Sequence, residues 1–99
     1  MKNQILNYYL SDHFMLRGWD RSIDKPQLYK ILPYVKCTKC DKDVILVYPS
    51  FLKARGIERD DIHVLVIIIR RNVIVTAYWS DKPNHLINKE KEGHLQTLY

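Results

Sequence analysis

Glycine is scarce in this chain: Gly18, Gly56 and Gly93 are the only three in 99 residues. No repeat, low-complexity tract or flexible linker interrupts the sequence, so one compact unit is expected rather than a modular array. The longest apolar run, Val64 to Ile69, has six residues, against the roughly 20 that a membrane-spanning helix requires. Ile5 and Leu6 give way at once to Asn7, Tyr8 and Tyr9. No apolar stretch of a secretory signal is therefore visible, and the cytoplasm is the expected compartment, with no membrane partner. Cysteine is limited to Cys37 and Cys40. What is present is ordinary for a globular protein, with 46% apolar and 27% charged residues. The length predicts a single domain, 1–99, with its core over about 8–87 and a polar tail over 88–99. A core this small leaves little room for a buried cofactor, and none is expected.

The N-terminal half reads as helical. Tyr8-Tyr9-Leu10 is either a short strand or a helix lead-in. Ser11 or Asp12 can cap a helix running through Leu16 toward Asp20. Asp24 is a second N-cap candidate, with Pro26 suited to the first turn after it. Leu28, Ile31, Leu32 and Val35 recur at helical spacing and predict one buried face, and Pro33 limits that helix near Leu32.

The C-terminal half reads as sheet. Asp43 to Tyr48 is rich in β-branched and aromatic residues and stops at Pro49. Phe51 to Gly56 reads as an irregular or short helical connection. Ile62 to Ile69 is the near-continuous apolar run of a central strand buried on both faces. Asn72 to Trp79 is a third strand, joined to it by a two-residue hairpin turn at Arg71 and Asn72. From Asn88 the charged run to Gly93 reads as a frayed end or a short surface helix. The expected fold class is α+β, with two N-terminal helices packed on a small antiparallel β-sheet.

Sixteen Lys and Arg against eleven Asp and Glu give a net charge of +5. A basic small domain favours polyanions, because phosphates attract cations over long range. His13, Arg17 and Arg21 recur every four residues, and each such step drifts only about 40° around a helix. On a helix that holds so far, an imidazole and two permanent cations share one surface. Arginine binds phosphate bidentately and stabilises its developing charge, while histidine moves protons near neutral pH. A solvated charged helix face produces the same spacing.

The stretch Ser11-Asp12-His13-Phe14-Met15-Leu16-Arg17-Gly18-Trp19-Asp20-Arg21-Ser22-Ile23-Asp24 resembles the His-x3-Arg-x3-Arg opening of small bacterial and phage domains. Those domains are similar to the RelE-like and barnase–EndoU–colicin–RelE group of ribonuclease toxins. Val73 to Trp79 resembles the group's last core strand. Ser22 stands where the group usually has glycine, and Cys37 to Asp43 looks like an insertion. The resemblance implies a RelE/barnase-like sheet and a metal-independent, toxin-like endoribonuclease. It implies His13 as general base or acid, Arg17 and Arg21 as phosphate clamps, Thr76 as a donor to the phosphate and Tyr78 as a base-stacking or proton-assisting group. Thr76 and Tyr78 lie two apart and so share a sheet face. RNA is the implied partner, and a toxin implies an acidic antitoxin or immunity protein over the basic face.

Further cations follow from position. Arg70 and Arg71 at the hairpin, and Lys82 and His85 after the last core strand, are the candidate nucleic-acid contacts. Cys37-Thr38-Lys39-Cys40 has the form of half a zinc ribbon, but the second pair is missing and His63, His85 and His94 are scattered. A reduced thiol pair and no metal are expected. The rival reading is a non-catalytic RNA- or protein-binding module that uses the same basic face.

Overall fold

A computed structural model describes residues 4–12, 25–36, 41–57, 60–82 and 94–99. Among these described residues six strands form one mixed sheet: β1 (Gln4–Ile5), β2 (Tyr8–Leu10), β3 (Asp43–Val47), β4 (Val64–Arg70), β5 (Val73–Ser80) and β6 (His94–Leu98), in the order β1-β2-β5-β4-β3-β6. Two short helices, α1 (Lys25–Ile31) and α2 (Pro49–Ala54), accompany it, and a 3-10 turn over Leu32–Tyr34 extends α1. Among the described residues no helix is long and apolar enough to cross a membrane.

The domain is α+β, but two N-terminal helices on an antiparallel sheet is not its architecture. The chain opens with strands. Tyr8 and Leu10 are buried while Tyr9 between them is half exposed, the period-2 alternation of a strand on a core. That strand runs parallel to β5, with the Tyr9 N–H donating to Asn72 O at 2.8 Å and the Ser11 N–H to Ile74 O at 3.1 Å. Of the tail expected over 88–99, the stretch 88–93 lies outside the described residues. His94–Leu98 is a strand parallel to β3, pairing residue for residue from Asp43↔His94 to Val47↔Leu98. Only the β3–β4–β5 meander is antiparallel throughout, and β1 with β2 makes a further antiparallel pair. Of the two expected N-terminal helices, α1 is described; the one expected from Ser11 or Asp12 toward Asp20 lies outside the described residues beyond Asp12.

The helix that is described follows its sequence. Leu28, Ile31, Leu32 and Val35 are all buried, on a core shared with Ile45, Val47, Leu65, Ile67, Ile74, Phe51 and Leu52. Pro33 has no N–H to continue an α-helix, and the chain tightens into the 3-10 turn around it. Helix α2 closes in a Schellman motif. The Ile57 N–H reaches Leu52 O at 2.9 Å and the Gly56 N–H reaches Lys53 O at 3.1 Å. Gly56 has φ +74°, the left-handed conformation that this cap requires and glycine takes without strain.

β4 is central. Val64 to Ile67 are buried in sequence, because alternate residues serve opposite faces: Leu65 and Ile67 the helix-bearing core, Val64 and Val66 a second cluster with Val44 and Leu46. The β4–β5 turn is the expected one. Arg70 pairs with Val73, and Arg71 and Asn72 between them have φ 50° and 67°, the two positive values of a type I′ turn.

Candidate active site

Strand β5 carries the two described residues expected to act in catalysis. Thr76 pairs with Ile68 and Tyr78 with Val66, so both stand on the sheet face away from α1 and α2. Tyr78 packs on the second apolar cluster there, while Trp79 packs on the opposite, helix-bearing core. The pairing slips between Ile68 and Ile69, leaving Val75 as the extra residue of a bulge. A bulge bends the strand and frees ladder groups. Here Ser11 uses one of them: its hydroxyl donates to Val75 O at 2.8 Å. The chain therefore leaves β2 fastened to β5 one residue from Thr76. His13, Arg17 and Arg21 lie outside the described residues, as do His85, Cys37 and Cys40.

The described candidate contacts are separated. Arg70 and Arg71 are exposed at the hairpin tip, where with Asp41 they line a shallow groove. The Arg71 Nε lies 3.4 Å from Asp41 Oδ1, with both side chains largely exposed, so the pair adds little stability. Lys82 is exposed at the other end of β5, its N–H donating to Ser80 Oγ at 3.1 Å. β5 spans Val73–Ser80, and at about 3.3 Å per residue its length sets these two groups more than 20 Å apart. One nucleotide cannot touch both, whereas an extended polynucleotide can.

Three polar constellations were not expected from sequence. Asp43 and Gln96 are the buried polar residues among those described. The Gln96 amide clasps the Lys36 backbone from both sides: Nε2 donates to Lys36 O and Oε1 accepts the Lys36 N–H, each at 2.9 Å. Asp43 Oδ1 sits 3.4 Å from Gln96 Nε2 and 3.3 Å from His94 Nδ1. The only signal in the sequence is the alternation of His94 and Gln96 with Leu95 and Thr97, too polar to stand out. Second, the Arg55 guanidinium lies over the Phe51 ring at 3.5 Å and the Tyr34 ring at 4.3 Å. No spacing rule links Tyr34 to Arg55.

Third, Asp60 Oδ1 accepts the N–H groups of His63 at 2.7 Å and Ile62 at 2.9 Å, and its Oδ2 is 2.7 Å from His63 Nδ1. The His63 and Ile62 amides, chiefly, pull the Asp60 carboxyl down to about 2. A depressed carboxyl contributes stability above its unfolded value near 4 and loses it as pH falls to about 2. Asp60→Asn is therefore expected to flatten the stability–pH curve between about pH 4 and 2, measured by urea unfolding at each pH. A curve parallel to the parent's would assign the acid loss to other groups.

At the C-terminal end of β3, Tyr48 stacks on Tyr99 with ring centroids 4.8 Å apart. Burial, then the neighbouring Tyr99, raises the Tyr48 hydroxyl above its usual range. Among the described residues no three His, Cys, Asp or Glu side chains converge to hold a metal ion. No known family, curated protein or solved structure matches this chain.

Proposed function

We propose that the protein is a metal-independent, toxin-like endoribonuclease of the cytoplasm. The observation that carries this reading is the Ser11–Val75 hydrogen bond, with Ser11 fastened one residue from Thr76. His13 follows Ser11 by two residues in the sequence. His13 takes the proton of a ribose 2′-hydroxyl as that oxygen attacks phosphorus. The 5′-oxygen leaves with a proton supplied by Tyr78 or by water, giving a 2′,3′-cyclic phosphate and a 5′-hydroxyl. Arg17 and Arg21 hold the phosphate and Thr76 donates to it, stabilising the charge that gathers on its oxygens. Arg70, Arg71, Lys82 and His85 contact flanking phosphates. An acidic protein covering this basic surface would silence the enzyme.

The half-buried packing of Tyr78 on the second apolar cluster favours a second reading, a non-catalytic RNA- or protein-binding module. The two separate in one experiment: purified protein and His13→Ala, each incubated with total bacterial RNA in EDTA. Discrete fragments from the parent, with a rate at least about 100-fold lower for His13→Ala, are expected of a general acid–base residue. Intact RNA with both proteins would leave the binding module.

A further inference from the structure

We infer that the helix-bearing face docks single-stranded nucleic acid, with bases on Tyr34 and Tyr29 and phosphates on Lys30, Lys36 and Arg55. The first support is where the charge lies. Residues 25–36 and 49–57 hold five of the sixteen cations and none of the eleven acids. Outside them, cations and acids balance at eleven each. These two segments are thus a basic stretch of the chain, offset among the described residues by Asp61 on Lys53, and such a stretch attracts a polyanion. Lys53 has a partner in Asp61, so it is not counted among the contacts.

The second support is geometry. The Arg55 guanidinium is held between the nearly perpendicular rings of Phe51 and Tyr34, and its Nη1 donates to Phe51 O at 3.2 Å. A cation fixed in this way loses little freedom on meeting a phosphate. Lys30 Nζ lies 3.9 Å from where a side chain at Gly56 would begin, which sets a second cation beside the residue that follows Arg55. Like charges brought together repel, and an anion between them relieves the repulsion. Lys36 lies six residues beyond Lys30 in the sequence, its side chain exposed while Gln96 clasps its backbone.

The third support is aromatic. Tyr29 and Tyr34 are 48% and 54% exposed, interleaved with these cations along one short stretch. Tyrosine rings and flat guanidinium groups stack on unpaired bases, which an acidic protein or a duplex does not present. This surface is distinct from Thr76 and Tyr78 on the other face of the sheet, and its role requires neither cleavage nor His13.

The test uses the full chain and a labelled 2′-O-methyl RNA of about 12 nucleotides, which cannot be cleaved through the 2′-hydroxyl. Binding is followed by fluorescence anisotropy between about 50 and 200 mM salt, a range over which phosphate contacts are read from the slope. Lys30→Gln with Lys36→Gln is expected to flatten the log–log salt slope by about 1.4, at roughly 0.7 per phosphate contact. Tyr34→Leu and Tyr29→Leu are each expected to weaken binding roughly tenfold. All four changes are at exposed positions, and a thermal melt confirms that each variant is folded. Absence of binding by the parent at low salt overturns the inference. So does a loss confined to an Arg70→Gln, Arg71→Gln control. Tyrosine variants that bind as the parent does, with heparin competing fully, would make the face a general polyanion or acidic-protein surface and equally overturn it. Because the probe is uncleavable, these outcomes stand apart from the RNA-cleavage experiment.

Discussion

Ile67→Ala is expected to lower the free energy of unfolding by about 3 to 5 kcal/mol. Ile67 is fully buried. It sits at the middle of β4 with Ile45 beside it on one side and Ala77 on the other, and it faces the core shared with both helices. Removing three carbons there costs their transfer free energy plus the cavity left behind. The small Ala77 alongside offers no long side chain to collapse into the space. Domains of this size are stable by only about 5 to 15 kcal/mol, so the loss is a large share of the total. Denaturant titration checks this: the midpoint should fall while the slope stays constant. Ile67→Val should lose only about 1 kcal/mol. A loss below about 1 kcal/mol for the alanine variant would show that β4 is not the packing centre.

Gln96→Leu is expected to cost about 2 kcal/mol, although it replaces a polar residue with an apolar one of similar size inside the fold. The gain in apolar burial is outweighed by what the amide leaves behind. Lys36 loses partners for both its N–H and its C=O, and Asp43 loses a donor. Buried groups stranded in this way cost about 1 to 3 kcal/mol each when nothing replaces the bond, and less where water reaches them. The exposure of Lys36 admits water on one side, which keeps the expected loss near the lower end. Equilibrium unfolding gives the total, and the amide exchange rate of Lys36 localises it. An unchanged exchange rate would mean that the clasp contributes nothing.

Where local chemistry decides the structure, the sequence is readable. The six-residue run from Val64 to Ile69 can only be a strand covered on both faces. Arg71-Asn72 is the length that a two-residue hairpin needs. Leu28, Ile31, Leu32 and Val35 announce a one-sided helix, and Pro33 announces its end. Where pairing partners are far apart, the sequence is silent. Tyr9 meets Val73 and Gln96 meets Ile45, and no local rule specifies a parallel neighbour across that separation. β6 was hidden for a second reason. Its inward polar residue, Gln96, is acceptable only because Lys36, sixty positions earlier, satisfies it. The site divides in the same way. That Thr76 and Tyr78 share a face follows from strand periodicity. The bulge at Val75 that receives Ser11 does not, nor does the meeting of Arg55 with Tyr34.

The strand order also dictates how the molecule comes together. Joining β3 to β4 and β4 to β5 needs only short closures, so the meander can assemble from neighbours in the chain. β2 and β6 each attach to this meander from a distance, one on either side, through parallel ladders whose closures carry a large entropic cost. They are thus expected to be late additions to a centre formed first. If so, stabilising either flank should slow unfolding without hastening folding, measured by stopped-flow refolding and unfolding. The Ser11–Val75 bond belongs to one flank and the Gln96 clasp to the other, so each is expected to open while the central meander stays intact.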